Sequence, residues 1–188
     1  MLTLPVPSLE GLRTERLLFR RPTMADHSWW MEYHNNAEAI RYMPFSLGSE
    51  ADCRQFIQWT LDRIPRDGTC LNAILEKESL RPVAMIGLLT QEVEGTTELE
   101  IGYHVLPSAW GKGYATEAAL ATRAYAYDTL GWTTAISLIL DGNDRSAALA
   151  ARLGCVREGG FTHAQFGATS IWRHPAPDAQ GAGMEAYA

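Results

Sequence analysis

A lysine set between two glycines, in PSAWGKGYATEA (107–118), stands directly between a β-like run and a helix-like one. Placed there, Gly111, Lys112, Gly113, Tyr114 and Ala115 open a helix whose first N–H groups lack intrahelical acceptors and whose dipole end is positive. Such a start is an anion site, and glycine lets the backbone approach a phosphate with no Cβ in the way. A plain turn ahead of a helix uses the same residues, so the loop alone leaves both readings open. Two other phosphate loops do not fit. The P-loop spacing GxxxxGK[ST] is absent, and in the dinucleotide pattern GxGxxG the third glycine is replaced by Thr116. Asp141 also lies too far along the chain to be the ribose-binding acid of that unit.

Other residues with chemistry to offer flank this loop. In ELEIGYHVLP (98–107), Leu99, Ile101, Tyr103 and Val105 point one way and Glu98, Glu100, Gly102 and His104 the other. Glu100 is the first candidate for a general base, with His104 and His163 behind it; each is otherwise an ordinary polar side chain, Glu100 a solvated one. Gly102 inside a strand weakens packing and marks either a bulge or a close approach. Asn143 and Ser146 come after the apolar run TTAISLIL, where Asn in a turn and Ser as a helix N-cap are common structural uses.

The elements that must position these residues follow from periodicity. RLLFRRP (16–22) reads as a strand, and 24–43 as a helix carrying Trp29, Trp30, Tyr33, Ala37 and Ile40 at helical spacing. Ser49 caps a second helix whose apolar stripe runs Cys53, Phe56, Ile57, Leu61, Ile64 before Pro65 and Gly68. Strands follow at 70–77, 82–93 and 98–107, then the glycine loop, an alanine-rich helix ending at Gly131, and a strand at 133–140. SAALAARLG is a short helix closed by Gly154, and FGATSIWR (166–173) is the last strand.

This order, with RTERLLFRRPTMAD near the start, ELEIGYHVLPSAWGKGYATEA in the middle and DGNDRSAALAARLGCVREG near the end, resembles the GNAT family of acetyl-coenzyme A-dependent N-acyltransferases, in particular its ribosomal-protein N-terminal acetyltransferase (RimJ/RimL-like) branch. The resemblance implies an α/β fold over residues 12–173, with a mixed, mostly antiparallel, splayed sheet flanked by helices. It implies acetyl-CoA as co-substrate and direct transfer to a primary amine, a peptide N-terminus or a small molecule, without a metal. Gly113 and Ala115 match the family loop [QR]xxGx[GA], while Trp110 stands in place of Gln or Arg. By the resemblance, the N–H groups of Gly111, Gly113, Ala115 and Thr116 hold the pyrophosphate, and Lys112 adds a charge or is a surface lysine. The pantetheine arm enters beside TTAISLIL and pairs near Val105; Asn143 contacts it, and Ser146 sits near the sulfur. Many relatives carry a tyrosine acid where this chain has Ala150, which leaves Ser146 to protonate the departing thiolate. Polyamine or aminoglycoside acceptors, and an acyl-CoA-binding module without catalysis, are the rival readings.

A thioester is already activated, so the enzyme chiefly aligns a neutral amine and stabilises the oxyanion. An α-amine (pKa ~7.8) needs about 1 kcal/mol to be neutral near pH ~7, and a lysine amine (~10.4) about 4–5 kcal/mol. An N-terminal amine therefore manages with a weak base. Trp29, Trp30, Tyr33 and Tyr42 border the acceptor side by the same resemblance, as core or cage, and Glu32, Glu38 and Glu50 are placed to attract a cation or to face water.

Bulk properties set the outer limits. With 188 residues, 46% hydrophobic and 20% charged, the chain suits one domain. Residues 1–11 read as an N-terminal extension and 174–188, rich in Pro, Gly and Ala, as a mobile tail. A net charge of −6 disfavours a nucleic-acid partner. No signal peptide or bilayer-length apolar run is present, which points to a cytoplasmic protein, monomer or homodimer, with no membrane partner. Cys53, Cys70 and Cys155, odd in number and without CxxC spacing, read as reduced thiols.

Overall fold

The structure is a computed structural model and describes residues 6–177. Seven strands form one sheet: β1 (Leu17–Arg20), β2 (Leu71–Glu76), β3 (Pro82–Val93), β4 (Thr96–Val105), β5 (Ile136–Leu140), β6 (Val156–His163) and β7 (Gly167–Arg173), in the order β1-β2-β3-β4-β5-β7-β6. Every neighbouring pair is antiparallel except β4 and β5. β3 and β4 keep continuous register from Val93↔Thr96 to Ala84↔Val105. β4 and β5 register only at Glu100↔Ile136. Beyond that point the two parallel strands part, and the sheet is splayed where the family resemblance implied.

Among the described residues, four α-helices cover the two faces: α1 (His27–His34), α2 (Glu50–Asp67), α3 (Tyr114–Ala124) and α4 (Asp144–Arg152). The alternation of β4 sorts them. His104 meets α2 through Phe56, ring centroids 5.5 Å apart. Tyr103, one residue away and facing oppositely, donates its hydroxyl to the Ser146 carbonyl on α4 (3.3 Å). Between α1 and α2 the buried Trp30 stacks on Tyr33 (4.7 Å) and Phe56 (5.6 Å). Fully burying one such side chain contributes about 1.5–3 kcal/mol, so this aromatic stack anchors the α1–α2 layer to the sheet.

Local chemistry explains where the elements depart from the periodicity. The helix expected over 24–43 stops at His34, because Asn36 Oδ1 accepts from the N–H groups of Glu38 and Ala39 (both 3.0 Å) and closes a turn instead. Residues 35–49 then cross the end of the sheet as turns. Ser49 does cap α2, its hydroxyl accepting from Asp52 N (3.1 Å), but Pro65 lies within the last turn and the stop is Gly68 at φ 82°. The α4 cap is Asn143 rather than Ser146. β6 has no counterpart among the expected strands: its glycines and exposed side chains hide it, yet Gly160 lets the backbone of β7 approach so closely that a Cβ would lie 2.8 Å from the Thr169 carbonyl.

The packed body is wider than the expected boundaries. Val6 and Leu9 are buried, so the 1–11 segment joins the core from Val6 onward. His174 is buried too, its Nε2 3.1 Å from Ser137 Oγ, although the sequence assigned it to the tail. The rest of that tail, 178–188, lies outside the described residues. All three cysteines are buried and free, and burial pushes their thiols up to about 11, 11 and 12 for Cys53, Cys70 and Cys155. Among the described residues, no helix is long and apolar enough to cross a membrane.

Candidate active site

The glycine loop has the geometry of an anion cradle. Gly113 caps α3 at φ 78°, a left-handed conformation that residues with a Cβ rarely adopt. Among the described residues, none of the N–H groups from Gly111 to Thr116 finds an acceptor; the first helical bond is Glu117 N to Gly113 O (3.1 Å). The loop is held from behind by Arg16, at the start of the first strand. Its Nη1 donates to the Lys112 carbonyl (3.0 Å) and its Nε to Glu117 Oε2 (2.7 Å), while Thr14 Oγ1 donates to Glu117 Oε1 (2.5 Å). Trp110 donates its indole N–H to the Val105 carbonyl (2.9 Å) and carries the Arg145 guanidinium over its ring at 3.9 Å. An aromatic at the family's Gln/Arg position thus still brings a positive charge to the loop, through Arg145.

From the loop the edge of β4 leads inward. Leu106 N–H donates to Val83 O, so alternation turns the main-chain groups of Ile101, Tyr103 and Val105 toward the gap beside β5. Ile101 O takes the Ser137 hydroxyl (2.9 Å) and Val105 O the Trp110 indole, so pairing at Val105 rests on its N–H alone. Gly102 marks no bulge, since the register runs straight through it; a Cβ there would meet Leu89 Cδ1 at 3.0 Å and Leu71 Cδ2 at 3.2 Å.

The gap opens into a cavity of about 400 Å³ whose walls include Glu100, Gly102, His104, Asn143, Ser146 and His163. The structure therefore brings the candidate acid and all three candidate bases to one chamber. Val105, Gly111, Lys112, Gly113, Ala115 and Thr116 lie outside its walls, along the approach. Asn143 Oδ1 accepts from Ser146 N (3.2 Å), and Tyr103 OH donates to Ser146 O. Both bonds use the main chain of Ser146 and leave its hydroxyl free among the described residues. The Asn143 amide nitrogen is free in the same sense.

Glu100 is buried rather than solvated, 8% exposed. Burial raises its carboxyl above the ordinary value; donation from Gln91 Nε2 (2.5 Å), the charge of Arg63 and the Leu138 N–H pull it part of the way back. His104 is driven down to about 4 by burial and by the neighbouring His34, so it is a neutral imidazole near pH ~7, with Tyr33 OH 3.4 Å from its Nδ1. His163 spends its Nδ1 accepting from Gln165 N (3.1 Å) and Phe166 N (3.3 Å).

The aromatic cluster divides between cavity and core. Tyr33 and Tyr42 line the cavity, whereas Trp30 belongs to the core and Trp29 donates to Asp26 (2.8 Å). Glu32, Glu38 and Glu50 are not in its walls: they bond Ser108 N (2.8 Å), Arg145 (3.1 Å) and Arg54 (2.7 Å). Tyr103, Arg63 and Trp59 do line it, and nothing in their spacing announced them. Burial keeps the Tyr103 hydroxyl protonated and hence a donor beside Ser146.

Over residues 16–156 the chain matches the family described as acetyltransferase (GNAT) domain. It is 29% identical to the uncharacterized N-acetyltransferase p20 of Bacillus licheniformis, over 80% of this chain and 85% of that one. A crystal structure of an acetyltransferase from Agrobacterium tumefaciens has a TM-score of 0.73 at 25% identity, covering 93% of this chain and 97% of its own. RimL, described as a ribosomal L7/L12 α-N-protein acetyltransferase, in complex with coenzyme A, has a TM-score of 0.67 at 14% identity, covering 88% and 97%. That last likeness is one of fold. The matched segment runs from the arginine behind the glycine loop, through the splayed strands, past the end of α4, and the chain belongs to the GNAT family of acetyl-CoA-dependent N-acyltransferases.

Proposed function

We propose that the cavity is where acetyl is transferred directly from acetyl-CoA to an α-amine, the kind of amine presented by a protein N-terminus or an amino acid. The observation that carries this reading is the continuity from unpaired N–H groups at Gly111–Thr116, along the splayed edge of β4, to a chamber holding Ser146 and Glu100. The loop N–H groups hold the pyrophosphate, with Lys112 at its edge. The Val105 N–H and the Asn143 amide hold the arm that follows. Acetyl-CoA supplies an activated thioester when bound.

The chain's own residues do the remaining work. Glu100, with a carboxyl poised above its ordinary value, takes the proton that the amine sheds as its nitrogen bonds to the acetyl carbon. The carbon–sulfur bond breaks, the sulfur leaves with the electron pair, and the Ser146 hydroxyl donates a hydrogen bond or its proton to it. An α-amine needs only about 1 kcal/mol to become neutral near pH ~7, which a single buried carboxylate can supply.

Two variants separate these roles. Ser146→Ala removes a donor needed mainly in the transition state, so kcat falls more than acetyl-CoA affinity. Glu100→Gln keeps the shape and loses the base, so its rate recovers as pH rises from about 6 to 10 and the amine deprotonates by itself. The readout is kcat/KM for the amine across that range. A Glu100→Gln profile parallel to wild type at every pH would remove Glu100 as base and transfer the role to His104 or His163.

A further inference from the structure

The cavity is lined by aromatic and apolar groups from α1, α2 and the 35–49 crossing, among them Tyr33, Phe45, Phe56 and Trp59. Among the described residues of its walls, with histidines neutral, Glu100 and Arg63 carry the formal charges. They are neighbours by construction: Arg63 Nη1 donates to the Thr90 carbonyl (3.0 Å), and Thr90 is opposite Leu99, next to Glu100 in β4.

The charge on Arg63 is incompletely met. Its side chain is 7% exposed. Nη1 makes the bonds to Thr90 O and to Asp67 Oδ2 (3.0 Å each), while Nε is buried without a partner among the described residues. Asp67 is shared, since Arg66 also donates to both of its oxygens (2.7 Å each). Two guanidinium groups thus divide one carboxylate. The other nearby acid, Glu100, is pulled toward its neutral form by burial. A buried cation with half a counter-ion is costly, and an anion entering the cavity removes that cost. Trp59, stacked under Arg63 at 4.6 Å and 41% exposed, forms an apolar shelf beside it.

We propose that the acceptor is an α-amino acid with an apolar or aromatic side chain, its carboxylate bound by Arg63, its amine set beside Glu100 and its side chain among Phe45, Phe56 and Trp59. The amino acid is complementary to the pair: guanidinium meets carboxylate, and the amine shares a proton with the Glu100 carboxyl across the short spacing of an α-amino acid. A polycation, by contrast, would find one acid, one competing arginine and an otherwise apolar wall. The proposal rests on reading the cavity as the acceptor site of an acetyltransferase.

The test uses the full chain loaded with coenzyme A and four amines: phenylalanine, phenylalaninamide, phenethylamine and spermidine. Calorimetry measures binding of each, and thiol release from acetyl-CoA measures turnover separately. Phenylalanine is expected to bind at least about tenfold tighter than phenethylamine, because a charge-assisted contact with a guanidinium is worth that much or more. Arg63→Met should shrink this ratio to within about threefold, and Arg63→Lys, which keeps the charge against Asp67 but loses the planar fork, should leave it intermediate. Arg63→Lys carries the test if the Met variant does not fold. Tighter or equal binding of phenethylamine or spermidine, no binding of phenylalanine, or a ratio unmoved in both variants overturns the proposal. Equal binding of phenylalaninamide overturns the carboxylate and points to a peptide N-terminus. Thiol release with none of the amines counts against acetyl transfer, while the calorimetric ratio still decides the role of Arg63.

Discussion

Gly113 and Glu100 show how much of this site depends on single residues. Gly113 sits at φ 78° with Arg16 Nη2 3.3 Å from where a Cβ would be, so Gly113→Val meets both backbone strain and a guanidinium that is already committed. Coenzyme A affinity is expected to fall at least about tenfold by calorimetry, with circular dichroism unchanged; unaltered affinity would defeat the phosphate cradle. Glu100 carries a stability consequence as well as a chemical one. Its folded pKa lies above the unfolded value, so its contribution is present at low pH and is lost as pH rises through the folded pKa. Glu100→Gln should therefore gain melting temperature relative to wild type toward alkaline pH and gain none near pH ~4. A constant offset across the range would show that Glu100 ionises as freely folded as unfolded.

At the scale of elements, the order of strands and helices and the place of the glycine loop were legible because they rest on period and punctuation. The alternation of β4, the Ser49 cap and the Gly113 opening each follow from local rules. What was not legible depends on partners distant in sequence. The end of α1 at His34 is decided by Asn36 capturing two N–H groups, and β6 is visible only through its pairing with β7. Among the cavity walls, Glu100, Asn143, Ser146, Tyr33 and Tyr42 could be singled out from the sequence, but Arg63 and Trp59 could not. Arg63 and Trp59 belong to the stripe side of an ordinary amphipathic helix until the fold turns them into the cavity. Arg16 is the clearest case of an unannounced element contact, since it ties the start of β1 to the first turn of α3 through Glu117 and Lys112. Arg16→Ala should loosen the loop and lower coenzyme A affinity by about three- to tenfold. Its cost in stability should stay near about 1 kcal/mol, because the Arg16 side of the ion pair is 45% exposed although Glu117 is 18% exposed. Calorimetry and a thermal melt on the same preparation read both; affinity equal to wild type would show that the loop holds its shape without the clamp.

For the whole molecule, histidines held neutral inside the fold, His34 among them, make acid a threat to the fold before it is a threat to the carboxylates. His104 is held down to about 4 and His174 to about 3, both chiefly by burial, against the ordinary 6.5. The unfolded chain binds those protons first, so stability present above pH 6.5 is lost as pH falls toward 4. His174→Gln keeps a partner for Ser137 and should flatten this fall by on the order of 1–3 kcal/mol between pH ~6.5 and ~4, measured by denaturant melts. An identical slope in the variant would mean that His174 titrates normally in the folded protein. The same compactness serves the chemistry, because the splayed strands, the helix start and the two-layer cover converge on one chamber from opposite faces of the sheet. Acetyl transfer onto an α-amine in this chamber is measured by incubating the protein with acetyl-CoA and an α-amine, then comparing thiol released with acetylated amine found by mass spectrometry. One acetylated amine is expected for each thiol, with both falling together in Ser146→Ala. Thiol released without acetylated amine, or no thiol from any α-amine across pH ~6–10, would contradict it.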